Sequence, residues 1–171
     1  MRKAEWIALF ISLAGVTMAF LVAVRVFEAV PHVEDEMAYV WQAKVLAHGQ
    51  MTAPTPLEPQ NMYVPFVVDA NGHRSAKYPP GWPMVLALGI LLGVRTWVSP
   101  LLGGLMVWLT FRLGKKICNR QTGLLAALLT VTSPFFLIIA GSLDSNSWSL
   151  VLTSFLCLPG WIHSTLGPGR I

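Results

Sequence analysis

Charged residues are scarce in this chain. Only 12% of its 171 residues are Asp, Glu, Lys or Arg, about half the share of an ordinary soluble domain. Hydrophobic residues make up 54% and the mean hydropathy is +0.60, so one small core cannot hold the apolar surface and lipid is the expected solvent. The net charge of +4 comes without the basic stretches interleaved with aromatic residues that a nucleic-acid surface needs. Nucleic acid is therefore excluded as a partner.

Cysteine is nearly absent as well. Cys118 follows a basic cluster and Cys157 lies in an apolar run, and neither is bracketed by histidines at metal-ligand spacing. Both are predicted to be free structural thiols, and no metal site is predicted from them.

Four apolar segments are predicted to span a membrane. The first covers 5–27 and follows Arg2 and Lys3, so the positive-inside rule places the N-terminus in the cytoplasm. Its uncharged run is longer than the roughly 7–15 apolar residues of a secretory signal, which favours an uncleaved anchor over a cleaved signal peptide. The other predicted spans cover 96–113, 123–140 and 148–162.

The apolar segment 79–94 is too short to be assigned directly, since about 20 residues are needed to cross a bilayer. The densest basic cluster belongs in the cytoplasm by the positive-inside rule and consists of Arg112, Lys115, Lys116 and Arg120. Since the first span runs outward, the chain must cross the membrane once between the outer loop and this cytoplasmic cluster, and 96–113 is predicted to be that span. Segment 79–94 is therefore predicted to lie on the outer face, within an outer loop of residues 28–95. If it crossed instead, 141–147 would be cytoplasmic.

The outer loop is acidic and rich in proline. Residues 35–48 are predicted to form a short helix, because their apolar residues recur at helical spacing and Gly49 is a natural stop. Residues 52–60 are a non-helical connector, and Asn71-Gly72 predicts a hairpin. The predicted fold class is all-α: a polytopic membrane protein with about four transmembrane helices and short interfacial helices in the outer loop.

Ionisable side chains gather at the outer ends of the apolar segments, namely Asp35, Glu36, Lys77 and Asp144. Such groups near hydrocarbon are costly and indicate function. A carboxylate can accept a proton from an attacking hydroxyl, and a cation can hold the phosphate of a leaving group; sugar transfer from a lipid phosphate needs both. Each residue also has a simpler, structural interpretation. Asp35 and Glu36 can be first-turn acids that the helix dipole favours, Lys77 can be an interfacial snorkelling lysine, and Asp144 can be the N-cap of the fourth span.

Two segments of the outer loop, together with a later one, resemble a known superfamily. EDEMAYVWQAKVLAHG at 34–49 and KYPPGWPMVLALG at 77–89 look like the start of a GT-C glycosyltransferase, closest to the protein O-mannosyltransferases and the lipid A aminoarabinose transferases. The later run RLGKKICNRQTGLLAALLTVTSPFFLIIAGSLDS at 112–145 resembles the basic turn, span and second outer acidic residue of that family. The resemblance covers roughly 5–155 and is carried by the order of its motifs.

The resemblance implies inverting transfer of a sugar from a polyprenyl-phosphate donor on the outer or lumenal face. Carried over, Asp35 is the general base, Glu36 supports it or contacts the acceptor, and Lys77 binds the donor phosphate. This sequence departs from the family pattern in that Tyr78 separates the lysine from Pro79-Pro80, and Arg74 and Arg95 are the alternatives for the phosphate. The remaining candidate substrate-binding residues are Tyr39, Tyr78 and Asp144. No cofactor is assigned, and a divalent metal is left open because two carboxylates alone do not make a site for a hard cation.

Enzymes of this family are several times longer than this chain. Residues 1–162 are therefore expected to be the N-terminal part of a GT-C-like module, with 163–171 as a truncation end, and transfer is expected only within a longer or complemented enzyme. The expected partners are the lipid bilayer, the polyprenyl-phosphate-linked sugar, and an acceptor lipid, glycan or protein, in a bacterial inner or plasma membrane. The alternative is a small non-enzymatic membrane scaffold that acts through its acidic outer loop, or an inactive fragment.

Overall fold

A computed structural model describes residues 3–157 of the chain. Within them the fold is mostly helical, as predicted, with one small antiparallel sheet. The helices are α1 (Lys3–Arg25), α2 (Glu34–Ala47), α3 (Gly81–Leu91), α4 (Arg95–Ile117), α5 (Arg120–Thr132), α6 (Pro134–Gly141) and α7 (Asn146–Leu156). The strands are β1 (Ala53–Pro54), β2 (Val67–Ala70) and β3 (His73–Ala76), in the order β1-β3-β2.

The sheet confirms the predicted hairpin within a fold that is mostly helical. Strands β2 and β3 pair with Asp69 opposite Arg74, and the turn residues Asn71 and Gly72 have φ of 52° and 77°. Positive φ at both positions is what a tight two-residue hairpin requires, and Asn-Gly supplies it at low cost. The third strand, β1, lies in the connector 52–60, which was predicted to be non-helical.

Helix α1 packs through a stripe of small residues and exposes large apolar ones. Its buried face consists of Ala4, Ala8, Ser12, Gly15, Ala19 and Ala23, whereas Trp6 and Phe10 are exposed. Small residues let helix backbones approach closely, as is typical of helices in lipid. The approach to α4 is so close that a Cβ on Gly104 would lie 2.2 Å from Cγ2 of Val16.

The predicted third span, 123–140, is not one straight helix. It is broken between α5 and α6, which are bent by 68°. Ser133 has the extended ψ of 117°, because the residue before a proline is disfavoured in the helical region. Pro134 then begins α6, and the Ser133 hydroxyl accepts a hydrogen bond from the Phe136 N–H at 3.4 Å, as an N-cap does.

Length and composition identify one helix between residues 3 and 157 that could cross a membrane, α1, or two if the bent pair α5–α6 is one span. Helix α4 covers the predicted span 96–113, and α3 is an 11-residue helix within 79–94. Helix α7 covers the start of the predicted span 148–162; residues 158–162, the tail 163–171 and Arg2 lie outside the described residues. The four-span arrangement therefore stays a prediction.

A buried apolar cluster joins α2, α3 and the loop 142–145 that connects α6 to α7. Its members are Tyr39, Val40, Ala43, Trp82, Leu86, Ala87 and Leu143. Because these residues come from three separate parts of the chain, their packing brings the first turn of α2, the residues before α3 and the loop 142–145 to one place. The candidate site lies there.

Candidate active site

Asp35 and Tyr78 form the centre of the site. Asp35 lies in the first turn of α2, and its Oδ1 accepts a hydrogen bond of 2.5 Å from the hydroxyl of Tyr78. Tyr39 follows one helical turn after Asp35, and its ring packs against that of Tyr78 with centroids 4.8 Å apart. The Tyr39 hydroxyl lies 3.1 Å from Oγ of Ser145, which ties the tyrosine pair to the loop 142–145.

The carboxylates of Asp35 and Asp144 lie around this tyrosine pair. The hydrogen bond to Asp35 is the main cause that raises the pKa of Tyr78 to about 12, with burial and the charge of Asp144 adding to it. Burial is the main cause that raises the pKa of Tyr39, and both carboxylates act in the same direction, while the hydrogen bond with Ser145 opposes them. Two negative charges thus face two neutral phenols in one cluster.

Asp144 is oriented by its own neighbours. Its Oδ1 accepts a hydrogen bond from the Ser145 N–H at 2.7 Å, and Oδ2 accepts one from Nδ2 of Asn146. Ser145, rather than Asp144, is the residue that precedes the first turn of α7. The N-cap interpretation of Asp144 is therefore one residue off, although its side chain does bind a backbone N–H at the start of this helix.

Glu36 is buried beneath the cluster. Only 3% of it is exposed, and its two oxygens accept hydrogen bonds from backbone N–H groups: His32 at 2.7 Å and Leu143 at 2.9 Å. Trp82, which the sequence analysis did not name as a site residue, donates from Nε1 to the Leu143 carbonyl at 2.9 Å. The loop that carries Asp144 is thus held by side chains of α2 and α3.

Lys77 lies beside Tyr78 with its ammonium group against aromatic rings. Its Nζ is 5.0 Å from the ring centroid of Phe66 and 5.7 Å from that of Tyr78, within the range of cation–π attraction. Among residues 3–157 it makes no salt bridge. Phe66 was also missed from the sequence; its φ of 56° is uncommon for a bulky residue, and nothing in the sequence signals it.

The two alternative cations have other partners. The guanidinium of Arg74 binds Asp69 with two hydrogen bonds, of 2.8 and 2.7 Å, and donates to the Met62 carbonyl at 2.8 Å. Arg95 donates from Nη2 to the carbonyl of Ala29 at 2.6 Å. In the described part of the chain neither arginine makes a hydrogen bond or salt bridge with Asp35, Tyr78 or Asp144. Of the three candidate cations, Lys77 is the one whose ammonium contacts Tyr78, the hydrogen-bond partner of Asp35.

A resident metal does not fit the described residues. No group of three or more His, Cys, Asp or Glu side chains between residues 3 and 157 is placed to hold one. One oxygen of Asp35 binds Tyr78 and both oxygens of Asp144 accept hydrogen bonds, whereas a hard cation takes about six oxygen ligands.

These features define the class: a largely helical chain with an apolar N-terminal helix and a carboxylate–tyrosine site, similar at a coarse level to membrane glycosyltransferases of the GT-C type. The family model described as oligosaccharyl transferase STT3, N-terminal, matches residues 81–166. The chain belongs to this family. No curated relative and no solved structure matches the chain.

The family match confirms the GT-C resemblance at the level of the superfamily, and with it glycosyl transfer and a membrane setting as family properties. The branch of the protein O-mannosyltransferases and aminoarabinose transferases stays a prediction. The matched residues include Trp82 and Asp144 but begin after Asp35 and Tyr78. The roles of the latter two therefore depend on the geometry and on the motif resemblance.

Proposed function

We propose that this chain supplies the outer-face site of a GT-C enzyme that transfers a sugar from a polyprenyl-phosphate donor to an acceptor hydroxyl or similar group, as part of a longer or complemented enzyme. The observation that carries the proposal is the position of the Asp35 carboxylate. It accepts a hydrogen bond from Tyr78, whose ring lies 5.7 Å from the ammonium of Lys77, in a chain of the STT3 family. Among residues 3–157 that ammonium makes no salt bridge.

Asp35 acts as the general base. Its Oδ1 binds Tyr78, whereas Oδ2 has no hydrogen-bond partner in the described part of the chain and can accept a proton. The acceptor oxygen forms a bond to the anomeric carbon of the sugar, the bond from that carbon to the phosphate oxygen breaks, and the electron pair leaves with polyprenyl phosphate. The acceptor proton passes to Asp35. Attack opposite to the leaving group inverts the anomeric centre.

Lys77 binds the leaving phosphate. An ammonium that is held by aromatic faces keeps its full charge, whereas a carboxylate partner would neutralise it. Positive charge placed where negative charge develops on the phosphate stabilises the transition state. The lysine directly precedes Tyr78, so the phosphate site adjoins the base.

Asp144, Tyr39 and Tyr78 form the wall against which the sugar binds. The two phenols are neutral at physiological pH, with pKa values raised above 10.0, and can both donate and accept hydrogen bonds, while carboxylates accept from sugar hydroxyls. Arg74 and Arg95 have no part in this proposal, since each is engaged elsewhere.

The proposed setting is a membrane that the chain crosses four times. The N-terminus and the basic cluster at 112–120 lie in the cytoplasm, and the loop 28–95 and the loop 142–145 lie outside. Donor and bilayer are then reached from the same face, and the plasma membrane of a bacterium supplies both.

The test is the change of Asp35 to Asn in the protein in its native membrane. Asp35→Asn keeps the size of the side chain and removes the basic carboxylate, so transfer of labelled mannose from polyprenyl-phosphate mannose should be lost while membrane insertion is unchanged. Glu34→Gln is the matched control, because Glu34 is the exposed neighbouring acid of the same helix turn. Undiminished transfer by Asp35→Asn would remove the assignment of the base.

A further inference from the structure

The buried carboxylate of Glu36 joins two parts of the chain that are distant in sequence. One oxygen accepts the N–H of His32, four residues before it, and the other accepts the N–H of Leu143, 107 residues away. In the described residues it has no cationic partner. A buried charge is costly unless it is hydrogen-bonded, so the two backbone donors are what keeps it there.

The side chain at position 36 must accept two hydrogen bonds, one on each oxygen. An ionised carboxylate accepts on both oxygens, whereas the amide of glutamine accepts on one and donates on the other. Glutamine at position 36 would therefore turn an NH₂ group toward one of the two N–H donors. A side chain that needed only size or polarity would tolerate this change.

Leu143 is fixed from both sides of its peptide unit. Its N–H is bound by Glu36 of α2, and its carbonyl is bound at 2.9 Å by the indole N–H of Trp82 of α3. Its side chain lies in the buried cluster described above. The next residue is Asp144, whose Cα is only about 3.8 Å further along the chain, so that the position of Leu143 sets that of the carboxylate.

We infer that Glu36 and Trp82 are positioning residues that hold Leu143 and thereby place Asp144 near the tyrosine pair that Asp35 also adjoins. This inference rests on the proposed function, and it replaces contact with the acceptor as the role of Glu36. Neither side chain touches substrate; both act through one peptide unit of the loop 142–145.

The first measurement is amide hydrogen exchange of the loop 142–145 in the protein in lipid nanodiscs. Glu36→Gln and Trp82→Phe should each speed exchange in this loop about tenfold or more, because each removes a bond that keeps the loop closed. The controls are Glu34→Gln and Trp6→Phe, which make the same chemical changes at exposed positions. Unchanged exchange in Glu36→Gln and Trp82→Phe would overturn the inference.

The second measurement is the rate of label transfer from polyprenyl-phosphate mannose per folded molecule. A small misplacement of a site group can cost up to about 100-fold in rate, so both variants should lower kcat roughly 10- to 100-fold and leave KM for the donor within about twofold. The double variant should lose less than the product of the two single losses, because both residues act on Leu143.

The outcomes separate the inference from the proposed function. If exchange speeds up but kcat per folded molecule is unchanged, the two residues merely anchor the loop and the positioning role is wrong. If the natural protein transfers no label, the proposed function fails; if Asp35→Asn transfers as well as the natural protein, the assignment of Asp35 as the base fails. In either case the exchange data still decide whether Glu36 and Trp82 hold Leu143.

Discussion

The hydroxyl of Tyr78 donates a 2.5 Å hydrogen bond to Oδ1 of Asp35, 43 residues earlier in the chain. This contact commits one oxygen of the proposed base and leaves the other for a proton. It also requires the phenol to stay protonated, since a tyrosinate next to a carboxylate would be repelled. The protonation of the Tyr78 hydroxyl therefore indicates whether its hydrogen bond to Asp35 is formed.

The raised pKa of Tyr78 gives a measurable pH dependence. Its pKa is raised from 10.0 to about 12, first by the bond to Asp35. The stabilisation from this bond is fully present below pH 10 and is lost as the pH rises through about 12. Asp35→Asn should bring the pKa of Tyr78 back toward 10, followed by the ultraviolet absorbance of tyrosinate.

The titration is assigned by removing tyrosines one at a time. Tyr78→Phe should remove the step near pH 12 and leave the step of Tyr39, whose pKa is also raised. Tyr63→Phe, which removes an exposed tyrosine outside the cluster, should keep the step near pH 12. If that step survives Tyr78→Phe, it does not belong to Tyr78.

The contact between α4 and α5 should depend on Gly123. A Cβ at this position would lie 2.6 Å from the Phe111 carbonyl oxygen and 2.8 Å from the Lys115 backbone N. Because both are backbone atoms, the helices must move apart, and Gly123→Ala should cost about 1–3 kcal/mol of unfolding free energy. Thermal unfolding in detergent followed by circular dichroism measures this.

The matched change is Gly81→Ala, whose Cβ would meet only Nε1 of Trp148, at 3.9 Å. That is an ordinary contact, and alanine favours the helix, so stability should be kept or slightly raised. Equal losses at Gly81 and Gly123 would mean that close helix approach is not the cause.

The hairpin should loosen in acid. The hydrogen bonds from Arg74 lower the pKa of Asp69 below its ordinary 3.8, so the stabilisation from this pair is present above pH 3.8 and is lost as the pH falls through the lower value of the folded protein. Limited proteolysis of the segment 53–76 by an acid-active protease should speed up over that range. In Asp69→Asn, cleavage by the same protease should be fast already at mildly acidic pH above 3.8 and lose this dependence.

Local signals predicted much of the fold. Gly49 ends α2 with a φ of 74° and Asn71-Gly72 forms the hairpin turn, because few residues other than glycine and asparagine adopt these conformations readily. The break at Ser133-Pro134 carried an equally local signal, which the apolar composition of 123–140 obscured. Strand β1 could not be predicted, since two residues pair only because β3 is already in place.

The acidic residues of the candidate site could be named from the sequence, whereas their hydrogen-bond partners could not. Asp35 and Asp144 were named from charge near hydrocarbon and from motif order, and the structure does bring them around one tyrosine pair. Glu36 and Trp82 bind the backbone N–H and carbonyl of Leu143. Because nearly every residue has these backbone groups, the sequence gives no sign that Leu143 is their partner.

The 68° bend between α5 and α6 limits how far the chain can reach across a bilayer. At 1.5 Å per residue, α5 is about 20 Å long and α6 about 12 Å, of which only about 5 Å advances along the axis of α5. If α5 stands along the membrane normal, the pair falls short of the hydrocarbon core of about 30 Å. Starting from the inner edge of that core, the pair would leave Asp144 about 5 Å below the outer edge, open to the outer side. A lipid-borne sugar reaches that depth by lateral diffusion, so its mole fraction among the lipids, rather than its concentration in solution, sets the occupancy of the site.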